Sequence, residues 1–506
     1  MVAVALAGVI GLCANVYANG WSRVETDHFV ITTDGPARYA ESYARQLEAF
    51  RYVALMVLGA DPAGARSQAK LDIYLLHNQE QMLKLRPNMS DSTAGMYFNC
   101  EEGSIAYATL QNNWANGDTD FGLAVLLHEY SHHLMFQARP AYYPTWYVEG
   151  FADYMSTAGM DDDRISLGNR HPWRMATLGE DRWVGFDTIL SARALNNGDK
   201  AHDDRLVLSF YAQSWLLAHY MLNDSERTKK FNAYFARVGA GEDPVAAFEP
   251  ATGIPVGKLE RLLKQYFHSM PVIIVHSKDI PQVTAKAQAL PEDTQDWLLN
   301  ASLLKTCMDK SQGQAVLAQL RKLASAPAGV STELRLARDR AEILFGDPSA
   351  ASDDLLAHAA VDETSFEAHY LAGRAVLSRA WKLQGDARAA AFEQAKDQFL
   401  KAYRLRKLDA ANLYFLSYTL PGGGSNVNVM NAARGAHALA PAIGSYAIHE
   451  AMLDIEAKQP DLAIHALTPL TSIADDPKRA ARAQAAIDAI RAGKDPAEVE
   501  RVFDED

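Results

Sequence analysis

Alternating and helical spacings of apolar residues divide the chain into a short β-rich segment and a long helical remainder. Trp21 to Thr33 (WSRVETDHFVITT) is enriched in β-branched and aromatic residues and reads as a strand ending at Asp34-Gly35-Pro36. Proline suits a helix start, and Ala37 to Leu58 follows with apolar residues at helical intervals. Lys70 to Leu76 (KLDIYLL) alternates and reads as a second strand. Ala94 to Phe98 and Ser104 to Leu110 flank a polar stretch ending in Gly103, a hairpin signal. From Asp118 the pattern is largely helical, so the first segment, 19–270, is expected to be α+β. Met270 to Pro291 carries prolines at 271, 281 and 291 around a short apolar run, and 271–291 reads as a connector.

Beyond the connector, alanine and leucine dominate segments separated by short Gly, Pro or Asp punctuation. Phe366 to Gly373 opens one helix, and Ala395, Phe399 and Ala402 recur at four and three in the next. Small and large residues so spaced let paired helices nest closely. The pattern resembles a tetratricopeptide repeat, with a weaker echo from Tyr446 through Pro460 to Ala463 and Ala466. Residues 292–495 are therefore expected to form a helical-repeat solenoid, a plain helical bundle being the competing arrangement, and 496–506 an acidic tail. Pro421-Gly-Gly-Gly-Ser425 lacks the Lys-Ser/Thr of a phosphate loop and reads as a turn.

Charge narrows the function classes. Among 506 residues, Lys and Arg number 49 against 62 Asp and Glu, a net charge of −13. No basic stripe suggests nucleic-acid binding or a polybasic membrane surface. Residues 1–18 contain an apolar run from Val2 to Cys13 followed by Val16-Tyr17-Ala18, which predicts a signal peptide and export to the periplasm or beyond. No stable membrane span is expected, since the run is shorter than the ~20 residues a span needs. With that leader removed, Cys100 and Cys307 remain, in different expected domains, and the expectation is two buried free thiols.

Candidate chemistry centres on Leu127-His128-Glu129-Tyr130-Ser131-His132. Residues four apart on a helix lie on one face, so His128 and His132 can present two imidazoles to one metal ion. Glu129, on the neighbouring face, can reach a metal-bound water without ligating. Ala124 to Leu127 imply a buried helix. Seventeen residues past His132, Trp146-Tyr-Val-Glu149-Gly-Phe-Ala-Asp153 supplies carboxylates four apart. Two histidines and a glutamate form a standard hydrolytic zinc set, which Glu149 completes. Asp153 is spaced to accept the free N–H of a liganding histidine. His133 points away from this face and reads as packing or surface, and Asp161-Asp162-Asp163 as a solvated loop.

Over about 20–270 the chain resembles the gluzincin zinc metallopeptidases, and most closely the peptidase-MA-like proteins through Trp146 to Gly150. The resemblance implies a zincin-like α+β domain, one Zn²⁺, a peptide or protein substrate, and Glu129 as general base on the metal-activated water. Tyr211, in Tyr211-Ala-Gln-Ser-Trp-Leu-Leu-Ala-His-Tyr220, matches the tyrosine that stabilises the oxyanion. Gly95, Met96 and Tyr97 match the substrate-aligning edge strand, where the aminopeptidases carry an amine-binding glutamate and this chain has Tyr97 and Phe98. Glu101 and Glu102 are off-register, so endo- and exopeptidase action both stay open. The repeats are expected to recruit substrate or a protein partner. The alternative is an inactive repeat scaffold with a structural zinc site.

Overall fold

Strands β1 (Ser22–Glu25) and β2 (Phe29–Thr33) pair antiparallel, so the single strand expected over Trp21 to Thr33 is a hairpin turning at Thr26 to His28. The turn lacks glycine and proline, which hid it. Next come α1 (Ala37–Val57), β3 (Leu71–Leu76), α2 (Gln79–Leu85) and the hairpin β4 (Gly95–Cys100) and β5 (Gly103–Thr109). The computed structural model describes residues 20–62, 69–85, 95–109, 121–138, 143–161, 164–180, 183–193, 195, 204–325, 330–472 and 476–504. The expected leader and Asp162-Asp163 lie outside them. Helices α3 (Phe121–Ala138) and α4 (Thr145–Ser156), strands β6 (Gly159–Met160) and β7 (Arg164–Leu167), and α5 (Pro172–Gly179), α6 (Phe186–Leu190) and α7 (Asp204–Leu222) follow. The chain is α+β, with a mixed sheet followed by helices.

The expected connector is not free. Ile273–His276 (β8) pairs with β7, and Ala287–Ala289 (β9) pairs with β1, giving a six-stranded sheet of order β4-β5-β3-β2-β1-β9. Short runs bounded by prolines suit such edge positions. In this sheet β3 lies parallel to β2 and β5, and the other pairs are antiparallel.

Period-two alternation gives the sheet two apolar faces. Ile73, Leu75, Ala106 and Ala108 pack with α1 and α3, including Leu47, Phe50, Leu127 and Tyr130. Their neighbours Tyr74, Leu76, Ile105 and Tyr107 face the other way and share a cluster with Trp297, Leu298, Leu317 and Leu320 of the helical half. The Tyr107 hydroxyl donates to Ser302 at 2.9 Å, and Lys305 pairs with Asp72 at 2.5 Å. The sheet is thus sandwiched between helices of both halves.

From Thr294–Leu303 to Pro496–Asp504 the described chain is helical hairpins. Helices Phe366–Ala380 and Gly385–Leu405 nest as their small residues suggest: a Cβ on Gly373 would lie 2.7 Å from the Phe399 ring. The segment expected as an acidic tail is a helix instead, anchored by fully buried Val499. Charged residues interspersed over Pro496–Asp504 masked the apolar face of Val499, Val502 and Phe503.

Cys100 and Cys307 form a disulfide across a Cα separation of 5.6 Å, which corrects the expectation of free thiols. Their sequence separation of 207 conceals that the β4–β5 hairpin docks against the helical half.

His449, on helix Gly444–Glu456, stacks on Tyr418 at 4.1 Å and lies 2.8 Å from the Ser417 hydroxyl. Burial lowers its pKa to about 4, with Glu450 opposing. The folded state keeps this ring neutral, whereas the unfolded chain takes up a proton below about 6.5. Stability is therefore expected to fall as pH drops from about 6.5 through about 4, by on the order of 2–3 kcal/mol from this group. Thermal melts across that window should show the loss, and His449→Gln should make the slope shallower. His133 and His171, also lowered to about 4 by burial, act in the same direction.

Candidate metal centre

Local packing explains why α4 aims its glutamate at α3. Trp146 is fully buried against Phe231, Tyr234 and Phe248, and its Nε1 donates to the Tyr234 hydroxyl at 3.3 Å. One turn on, a Cβ at Gly150 would lie 2.4 Å from the Ser214 carbonyl, so glycine is needed for α4 to approach α7 this closely. Trp146 and Gly150 together clamp one face of α4 and turn Glu149 towards the motif helix.

The structure brings His128, His132 and Glu149 together, with ligand atoms all within 4.8 Å of one another. The two Nε2 atoms are 3.2 Å apart. Glu149 Oε2 lies 3.6 Å from His128 Nε2 and 3.7 Å from His132 Nε2. Ligands of tetrahedral zinc, with bonds of about 2.0–2.1 Å, sit about 3.3–3.4 Å apart, so this triangle fits one ion. Glu149 Oε2 is buried with no hydrogen-bond partner among the described residues, as a metal-directed oxygen would be. On His128, burial opposes charge, but Asp153 and Glu149 outweigh it and hold the pKa well above its ordinary value. A field that favours a proton there also favours a cation.

Asp153 occupies its expected position behind the ligands. Its Oδ1 lies 3.1 Å from His128 Nδ1, which leaves Nε2 for a metal. Arg174 on α5, which no sequence motif marks, donates from Nε to Asp153 Oδ2 at 2.7 Å and from a terminal amino group to Oδ1 at 3.2 Å. Burial tends to raise the Asp153 pKa, but Arg174 and then His128 hold it far below the carboxylate range. No spacing rule links positions 153 and 174, so the motif could not reveal this partner.

The Tyr211 ring lies beneath Arg174, 4.9 Å from its guanidinium carbon, which joins α7 to the Asp153–His128 series. His133 is buried and stacks on Tyr130 at 5.7 Å, consistent with packing. Asp161 pairs with Arg164 at 3.1 Å on the surface.

A cleft of about 280 Å³ opens on Glu129, His132 and Glu149. β4 supplies Tyr97, Phe98 and Asn99 to one wall, and the helical half supplies Pro441, Ala442, Pro469, Leu470 and Arg479. Among the three expected substrate-strand residues, Tyr97 borders this cleft. Gly95 packs on α3, where a Cβ would lie 3.0 Å from Val125, and Met96 is buried on the sheet's other face. The Tyr97 hydroxyl is buried without a hydrogen bond of normal geometry, although the Ser104 hydroxyl is near enough to act on it. Burial and, in lesser part, the Glu129 charge raise its pKa.

Past β4 the hairpin tip enters the helical half. Glu102 is gripped by Arg340 and Arg374, and the Tyr370 hydroxyl donates to it at 3.3 Å. The Glu101 carbonyl accepts from Tyr446 at 2.7 Å. The Glu102 carboxylate is thus committed to docking, whereas Glu101 docks through its backbone and its side chain is exposed. Among the described residues no helix is long and apolar enough to cross a membrane. No family model, curated protein or solved structure matches the chain.

Proposed function

We propose that the chain is a zinc-dependent peptidase of the gluzincin type, with a zincin-like first half and tetratricopeptide-like repeats after it. The observation that carries this reading is the His128–His132–Glu149 triangle opening on the same cleft as Glu129. A structural zinc site has no need of a carboxylate in that position. Zinc held by these three side chains would supply Lewis-acid polarisation and acidify water.

The protein's own groups do the rest. Glu129 takes a proton from the attacking water and returns it to the leaving amine. Asp153, fixed by Arg174, holds His128 in the tautomer that frees Nε2. Tyr211 is proposed as donor to the developing oxyanion, and the buried Tyr97 hydroxyl is its rival. The outer edge of β4, the terminal strand, takes an extended peptide by strand addition. The helical half serves as the far wall of the cleft, and any partner it recruits must use surface that the 100–103 hairpin leaves open. The leader-like N-terminus and the Cys100–Cys307 disulfide both support export to an oxidising compartment, periplasmic or extracellular.

The test begins with metal analysis of the purified chain, for which about one zinc is expected. Asp153→Asn should weaken zinc binding by about 10–100-fold. Hydrolysis of a mixed peptide library should vanish on chelation and return with zinc, and Tyr97→Phe against Tyr211→Phe should rank the two phenols by kcat. A chain whose melting temperature falls on chelation but which cleaves nothing would instead be the scaffold.

A further inference from the structure

The wall that the helical half adds to the cleft is apolar except at one described residue, Arg479. Other buried arginines of that half are spent on carboxylates: Arg340 on Glu102 and Glu367, Arg374 on Glu102. Arg479 is half-buried, and among the described residues no carboxylate pairs with its guanidinium, Asp476 acting on it only as a nearby charge. It lies flat on Gly444, where a Cβ would come within 1.5 Å of a terminal nitrogen, so the backbone leaves a seat for it. Burial lowers its pKa, against the opposing charge of Asp476, whose side chain caps the Arg479 backbone N–H at 2.9 Å. A partly buried cation bordering a cleft is better satisfied when an anion arrives beside it.

β4 ends at Cys100, and the hairpin tip beyond it is held against the helical half by Tyr446, Arg340 and Arg374, so pairing along β4 stops there. Such a site suits short peptides or chain ends.

We propose that Arg479 anchors a substrate carboxylate, so that the preferred substrates are short peptides carrying a carboxylate near the scissile bond. This rests on the peptidase reading and names its substrate class. The carboxylate can be a C-terminal α-carboxylate or an Asp or Glu side chain, and matched peptides separate them.

Free-acid and C-terminally amidated forms of one peptide, and Asp and Asn forms of another, are compared on the zinc-loaded full chain. Losing the anchored carboxylate should raise KM by about 10–100-fold with kcat little changed, as expected for a charged hydrogen bond. Arg479→Gln should erase that difference and Arg479→Lys should keep part of it, a carboxylate dependence that mere packing would not produce. If all four peptides are cleaved with equal KM, Arg479 is no anchor and the peptidase reading stands. If none is cleaved, calorimetry of the same peptides on the zinc-free chain still decides: carboxylate-dependent binding lost in Arg479→Gln supports the anchor, and its absence overturns it. Should Arg479→Gln fail to fold, the wild-type peptide pairs and Arg479→Lys carry the test.

Discussion

Replacing Glu129 with glutamine is expected to leave about one zinc per chain and to lower peptide hydrolysis by about 10²–10⁴-fold, the range for removing a general base. The substitution keeps size and hydrogen-bonding capacity but cannot accept a proton at neutral pH. Glu129 is not one of the three clustered donors, so metal content should hold. Its side chain borders the cleft with His132 and Glu149, within the space an attacking water would use. The informative comparison is kcat at saturating peptide together with metal stoichiometry on the same preparation. A variant that keeps both zinc and wild-type turnover would remove the proposed mechanism. Loss of both together would mean that Glu129 holds the fold or the ion instead.

Removing the carboxylate of Glu102 should destabilise the docking of the two halves by about 3–5 kcal/mol, because two cations would be left buried without their shared partner. The Glu102 side chain is 6% exposed, and Arg340 and Arg374 are 8% and 9% exposed. Arg374 also lies 3.6 Å above the Phe415 ring and Arg340 reaches Glu367 at 2.6 Å, so neither can swing into water without breaking other contacts. Urea unfolding of Glu102→Gln should show the loss as a lower midpoint. Replacing Glu102, Arg340 and Arg374 together with leucine and methionines should recover much of it, since burying apolar groups avoids desolvating three charges. An unchanged midpoint in Glu102→Gln would mean that the cluster contributes nothing to docking.

The parts of this molecule that the sequence disclosed are those set by short-range geometry. His128 and His132 are four apart on one helix, and Asp153 is four beyond Glu149, so helical pitch alone aligns them. Trp146 and Gly150 could be noticed as a pattern, but their reason, the approach of α4 to α7, needs the Ser214 carbonyl in view. Arg174 was hidden because its pairing with Asp153 crosses two strands and two loops. The Cys100–Cys307 bridge was hidden because docking between halves sets it. Strands β8 and β9 are short and largely exposed, so hydropathy could not tell them from linker. Glu102 is an example of long-range pairing that one dimension hides: a carboxylate beside a substrate strand and one plugged into an arginine pair look alike there.

The central strands of the sheet are covered on both faces. Tyr74, Leu76 and Tyr107 meet helices that lie some two hundred residues downstream. A chain cut after the first three hundred residues would therefore expose a broad oily patch ringed by aromatics, and would clump before it could be assayed. The part carrying the candidate metal centre is not a portable module, and natural or engineered shuffling of it onto other partners would have to carry the helical stack along.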